Sequence, residues 1–315
     1  MLAIVCPGQG SQTPGFLTPW LGLAGARDRL AWLGAAAGVD LVAHGTESDA
    51  DTIKDTAVAQ PLIVGAGLLA LPALLADDPS TASAAAALPA GSVTAGHSVG
   101  EITAAAAAGV LSAEAAMVFV RERGRGMASA SAVTPTGMAA VLGGDPDEVL
   151  AAIDAAGLTP ANVNGGGQVV AAGTLEQIEA FATQPPAKAR VIPLQVAGAF
   201  HTHHMAPAVD VLDGYSRAMT TAAPQVTLLS NADGAPVSDG AEVLGRLVRQ
   251  VSNPVRWDLC MQTMLDLGVT GLIEIPPAGT LVGLAKRAMK GVETLALKTP
   301  DDLDAARRLV ADHAG

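Results

Sequence analysis

Apolar positions in this chain gather into short unbroken runs and longer tracts, separated by clusters of Gly, Pro, Asp and Ser. Leu2-Ala3-Ile4-Val5-Cys6 has no polar position and stops at Pro7-Gly8, the pattern of a strand covered on both faces. Ala90-Gly91-Ser92-Val93-Thr94 predicts a second buried strand, and the alanine-rich stretch after residue 101 predicts a helix. Residues 57–76 are almost wholly apolar and long enough to cross a bilayer. They contain Gln60, Pro61 and Pro72, however, and lack flanking basic residues or aromatic belts. A buried core helix beginning near Pro61 and ending at Asp77-Asp78-Pro79-Ser80 is therefore expected, with no membrane partner.

A change of pattern marks residues 137–195. Met138-Ala139-Ala140-Val141-Leu142 predicts a strand, and Asp145-Pro146-Asp147 starts a helix to about 156. Two strands, 160–163 and 168–172, flank the hairpin signal Asn164-Gly165-Gly166-Gly167. Thr174 caps a helix to 183, and Arg190-Val191-Ile192-Pro193-Leu194 is a last strand. The order βαββαβ is that of a ferredoxin-like unit. The expected organisation is thus α/β, with a small subdomain at 127–197 inserted into a larger one formed by 1–126 and 198–315. Downstream, the pattern predicts a helix to about 220, a strand at 226–231, helices at 241–252 and 257–267, and a strand at 271–275. Gly279 would open the final long helix.

The 315 residues suffice for a substantial core, and 50% hydrophobic with 15% charged residues describes a globular chain. A formal net charge of −12, with no basic patch among aromatics, argues against nucleic acid. The two cysteines, Cys6 and Cys260, form no C-x-x-C pair, and a reduced cytoplasmic compartment is the simplest expectation.

Candidate chemistry centres on Gly96-His97-Ser98-Val99-Gly100. G-x-S-x-G between a strand and a helix is the context of a nucleophile elbow, with the serine at a helix N-terminus that favours a developing oxyanion. The plainer alternative is a glycine-rich turn whose serine only caps the helix. A serine hydroxyl needs a base. Of six histidines, the cluster His201, His203 and His204 lies just past the expected return from the small subdomain, whereas the side chain of His97 should point away from its neighbour Ser98. No cysteine or paired carboxylate completes a coordination set with that cluster, so no metal is expected. Arg121, Arg123 and Arg125 are spaced by two on one predicted helix and cannot share a face, so at least one can point inward.

Gly8-Gln9-Gly10-Ser11-Gln12, Gly96-His97-Ser98-Val99-Gly100-Glu101, Arg123, Gly198-Ala199-Phe200-His201 and Asn253-Pro254-Val255-Arg256-Trp257 occur in one order along the chain. In this the sequence resembles the malonyl-CoA:acyl carrier protein transacylases over essentially its whole length. The resemblance implies an α/β-hydrolase-like large subdomain carrying a ferredoxin-like insert. It further implies that Ser98 forms a malonyl ester and that His201 is base and then acid, its other ring nitrogen held by a backbone carbonyl near Gln250. The N–H groups of Gln9 and Val99 would form the oxyanion hole. Arg123 would hold the malonate carboxylate, Phe200 would occupy the space of a 2-methyl branch, and Asn162 would support the pocket. Malonyl-CoA is then a substrate, no cofactor is needed, and the partner is an acyl carrier protein serving fatty acid and also polyketide synthesis. A monomer is expected. Lys286, Arg287 and Lys290, or else Lys188 and Arg190, would dock the acidic carrier. The competing reading is a serine hydrolase or thioesterase on the same elbow, which has no use for Arg123 and usually carries an acidic third triad member.

Overall fold

The computed structural model describes residues 1–75 and 87–314. Among these, ten strands occur: β1 (Leu2–Cys6), β2 (Val93–Gly96), β3 (Thr136–Gly143), β4 (Thr159–Gly165), β5 (Gln168–Thr174), β6 (Ala189–Pro193), β7 (Thr227–Leu228), β8 (Val255–Arg256), β9 (Gly271–Glu274) and β10 (Glu293–Ala296). They make two sheets, one ordered β10-β9-β1-β2-β7 and the other β6-β3-β5-β4-β8.

Every pairing in the first sheet is parallel. Helices cover its faces, which is why β1 and β2 are buried at every position and read as unbroken apolar runs. Register sets Cys6 beside Gly96, so β1 and β2 end together and their following loops lie side by side. A crevice outside the carboxyl ends of parallel strands is the usual ligand position in such sheets.

The second sheet pairs β3, β5, β4 and β6 antiparallel. A fifth strand, β8, joins β4 in parallel through Asn162–Val255 and Val163–Arg256 pairs. The Asn253-Pro254-Val255-Arg256-Trp257 stretch thereby ties one sheet to the chain that returns to the other. This edge was not legible as a strand because it is only two residues long.

Helix Thr56–Leu75 is long and apolar enough to span a membrane, yet it is buried almost throughout. It begins earlier than the expected start at Pro61 because the Asp55 carboxylate accepts from the Ala57 N–H at 2.8 Å and caps the turn before the proline. Pro61 and Pro72 are both interior to it, and its expected end at residues 77–80 lies outside the described residues. Two further expectations need correction. Val226 to Asn231 is not one strand: the strand is confined to Thr227–Leu228, Leu229 still donates to the Thr94 oxygen but bridges Pro236, and Asn231 bonds elsewhere. The helix opened by Gly279 is also neither long nor last, since Thr280–Ala288 gives way to β10 and to helix Leu303–His313. Gly291 takes a left-handed turn that returns the chain beside β9. The helix expected to reach residue 220 ends at Ser216.

Candidate active site

β2 delivers the chain into the turn that carries Ser98, and helix Gly100–Ala107 leaves it. Ser98 sits at φ 53°, a left-handed conformation unfavourable for a residue with a Cβ. The glycines on either side make that geometry possible by close approach. A Cβ on Gly96 would lie 1.9 Å from the Gly100 carbonyl carbon, and one on Gly100 would lie 2.2 Å from the Cys6 oxygen. The strain is held by Asn231, whose Oδ1 accepts from the Ser98 N–H at 2.8 Å while its Nδ2 donates to the Gly96 oxygen at 2.8 Å.

His201 comes from the loop before helix Ala206–Ser216 and also has positive φ, 61°. Its N–H donates to the Val251 oxygen, and its Nδ1 lies 2.8 Å from the Gln250 oxygen. A carbonyl can only accept, so Nδ1 carries the hydrogen and the Nε2 lone pair faces Ser98 Oγ at 2.7 Å. Burial, followed by the positive charge of Arg123, pushes the His201 pKa down to about 3, against a smaller opposing effect of the Gln250 carbonyl. The imidazole is therefore neutral at pH 7 and able to take the serine proton. The triad's third position is a carbonyl, not a carboxylate.

Arg123 is the inward member of its arginine trio. Its side chain is 1% exposed, whereas Arg121 pairs with Glu122 and Arg125 is largely exposed. Arg123 Nη2 donates to Gln250 Oε1 at 2.8 Å and to Ser98 Oγ at 3.3 Å, while the buried Nη1 has no partner. Burial lowers its pKa to about 10, opposed by Glu101, so it keeps its charge at neutral pH. A buried, charged guanidinium with a free N–H beside a serine hydroxyl is a ready seat for an anion.

These groups meet a cavity of about 420 Å³ whose walls include Gln9, Ser98, Val99, Asn162, Phe200 and His201. The structure thus brings six of the eight sequence-derived candidates onto one surface. Arg123 reaches it from behind Ser98, and Gln250 does not line it. Gln250 instead spans the back of the site: its backbone oxygen holds His201, its Oε1 holds Arg123 and its Nε2 donates to the Ser98 oxygen at 3.0 Å. The main-chain N–H groups of Gln9 and Val99 have no protein acceptor among the described residues. His97 turns away from Ser98 to Asn164 Oδ1 at 2.8 Å and to the edge of Trp257. His203 and His204 stack on each other, and the described residues contain no cluster of three His, Cys, Asp or Glu fit for a metal.

Sequence reasoning passed over Asn231, Glu101 and Gln60. Glu101 is the only charged residue of an alanine-rich helix and is 5% exposed. Burial pushes its pKa up to about 7, opposed by the Asn231 N–H, the Gln250 amide, and the charges of Arg123 and Arg246. Gln60, the lone amide of the apolar helix, lines the cavity with its Oε1 unpartnered. The one charge and the one amide in otherwise largely apolar helices were the available signals.

An elbow serine bonded to a neutral histidine, with a buried guanidinium behind the hydroxyl, is the machinery of an acyl-transferring serine enzyme. The family model for the acyl transferase domain matches residues 3–305. The malonyl CoA-acyl carrier protein transacylase of Mycolicibacterium smegmatis is 52% identical over 297 residues, covering 93% of this chain and 100% of that protein. The crystal structure of MCAT from Mycobacterium tuberculosis superposes with a TM-score of 0.89 at 50% identity, covering 98% of this chain and 99% of that one. A type II PKS acyl-carrier protein in complex with its malonyl-transacylase also matches, with a TM-score of 0.86 at 29% identity, covering 98% of this chain and 99% of that one. The chain belongs to the malonyl-CoA:acyl carrier protein transacylase family.

Proposed function

We infer that the protein moves a malonyl group from malonyl-CoA to the phosphopantetheine thiol of an acyl carrier protein by a ping-pong route. His201 Nε2 takes the Ser98 proton as Oγ attacks the thioester carbonyl. The resulting oxyanion is met by the N–H groups of Gln9 and Val99, a kind of contact worth ~10²–10³ in rate for each donor. Collapse breaks the C–S bond, and His201 returns its proton to the departing CoA sulfur. In the second half the carrier thiol gives His201 its proton and attacks the malonyl ester, and Ser98 leaves re-protonated. Throughout, Arg123 holds the free carboxylate. An acetyl group would leave this guanidinium unpaired, at a cost of ~1–3 kcal/mol. Phe200 would take the space of a 2-methyl branch and Asn162, on β4, would support the pocket, and both line the cavity.

The observation that carries this reading is the buried Arg123 guanidinium 3.3 Å from Ser98 Oγ. A hydrolase needs no such cation. Incubation with malonyl-CoA and a phosphopantetheinylated carrier is expected to yield malonyl-carrier in step with CoA release. Free malonate formed at the same rate without carrier would overturn transfer in favour of hydrolysis.

We propose further that the chain comprises an α/β-hydrolase-like subdomain, 1–126 and 198–315, and a ferredoxin-like subdomain, 127–197. The order β6-β3-β5-β4 with its two helices supports the second assignment. The free, buried Cys6 and Cys260 support a cytoplasmic setting, and a cleft completed within one chain supports a working monomer. Fatty acid synthesis is the expected use, with polyketide synthesis open to the same chemistry. For carrier docking, the helix Thr280–Ala288 is favoured over Lys188 and Arg190, because Thr280, Leu281 and Leu284 form part of the cavity wall. Reversing Lys286, Arg287 and Lys290 together should slow carrier transfer at low salt and leave acylation by malonyl-CoA intact. Unchanged transfer would exclude that helix.

A further inference from the structure

Glu101 touches none of the reacting atoms, yet it closes a buried hydrogen-bond circuit behind them. Its Oε1 accepts from the Asn231 N–H at 2.6 Å and its Oε2 accepts from Gln250 Nε2. On the other side of the same amide, Gln250 Oε1 accepts from Arg123 Nη2 at 2.8 Å. An amide has one donating and one accepting end. Both Glu101 oxygens accept here, and a guanidinium can only donate. With those two partners on opposite sides, a single orientation of the Gln250 amide satisfies both. We propose that Glu101 is a positioning residue that fixes the Gln250 amide and, through it, holds the Arg123 guanidinium beside Ser98.

Geometry separates this role from support of the catalytic histidine. His201 is held by the backbone oxygen of Gln250, which does not depend on how the side-chain amide faces. At Ser98 the N–H is held by Asn231, while the backbone oxygen accepts from the same Gln250 Nε2 at 3.0 Å. Turning the amide should therefore damage recognition of the acyl carboxylate most, while the Ser98 Oγ–His201 Nε2 contact keeps its two other anchors, the Gln250 backbone oxygen and the Asn231 side chain. Glu101 also lines a second cavity, about 470 Å³, which shares no lining residue with the first and whose walls include Arg246 and Asn253. The carboxylate thus borders a cavity that the acyl group does not occupy.

The inference rests on Arg123 being the malonate seat, so the test compares two reagents at one serine. Glu101→Gln places an amide donor against Gln250 Nε2 and favours the flipped amide, which turns a donor toward Arg123. Modification of Ser98 is followed by intact mass with malonyl-CoA and, separately, with the neutral reagent phenylmethylsulfonyl fluoride. Malonylation of E101Q should fall about tenfold to a hundredfold, as expected for a lost hydrogen bond to a charged group, while sulfonylation stays within about twofold. Equal loss with both reagents, or no loss of malonylation, would overturn the proposal. Gln250→Met, which removes the amide and keeps the backbone oxygen, should show the same split if E101Q does not fold. Retained malonylation in Q250M would likewise refute it. Arg123→Ala serves as the control: if it malonylates normally, the seat assignment has failed and not the role of Glu101.

Discussion

Removing the Arg123 guanidinium should separate acyl recognition from acyl chemistry. The side chain is 1% exposed, and its Nη1 has no protein partner. In Arg123→Ala the malonyl carboxylate would enter the cleft with no counter-charge. Breaking a buried ion pair from one side costs about 3–5 kcal/mol, or roughly 10²–10⁴ in kcat/KM. Acetyl-CoA brings no carboxylate and so should keep or gain transfer in the variant, since the unpaired guanidinium it faces in the parent is gone. The Ser98–His201 contact of 2.7 Å is made without Arg123, so the base stays in place although Ser98 Oγ loses the 3.3 Å hydrogen bond from Nη2. Loss of the cation also relieves one of the effects that hold the His201 pKa down, so that pKa should move up toward its ordinary range. The assay is kcat/KM for malonyl-CoA and for acetyl-CoA with one phosphopantetheinylated carrier, in parent and variant. Equal loss for both acyl groups would refute the assignment.

Other consequences follow from the same geometry. His201 has a pKa of about 3 in the fold, so acylation should show no acid limb near pH 6.5, the ordinary imidazole range; an inflection there would contradict the burial argument. Glu101 behaves in the opposite sense for stability. Its folded pKa of about 7 lies above the ordinary 4.5, so its contribution is fully present below pH 4.5 and lost as pH rises through 7. Chemical denaturation of Glu101→Gln and parent should therefore show the variant gaining relative stability between about pH 5 and about pH 8, and a pH-independent difference would contradict this. Gly100→Ala would set a Cβ 2.2 Å from the Cys6 oxygen and 2.7 Å from the Pro7 oxygen, both backbone atoms that cannot swing away. A loss of about 3 kcal/mol or more and no acylation are expected, and a parental Tm would contradict the close-approach argument.

Much of the site was legible because its chemistry is local in sequence. The elbow announces itself in five residues, and Arg121, Arg123 and Arg125 must diverge in direction on any helix. The two-residue spacing shows only that one can turn inward; which one depends on the partners Arg121 and Arg125 find at Glu122. What the sequence withheld is the support behind the site. Asn231 reaches Ser98 across 133 positions and Gln250 reaches Glu101 across 149, and no periodicity records such pairings. Edge strands were missed or overdrawn for a related reason. β7 and β8 are two residues each, so neighbours and not local pattern decide them. The helix at Thr56 started early because capping by Asp55 outweighed the cost of a proline in its second turn.

Intact mass spectrometry of the protein after brief exposure to malonyl-CoA, beside Ser98→Ala treated in the same way, reports on the nucleophile itself. The parent should gain the mass of one malonyl group, located on Ser98 and removed by a phosphopantetheinylated carrier, and the variant should gain nothing. An adduct that persists in Ser98→Ala, or a parent that turns over malonyl-CoA with no adduct at this serine, would contradict the covalent route.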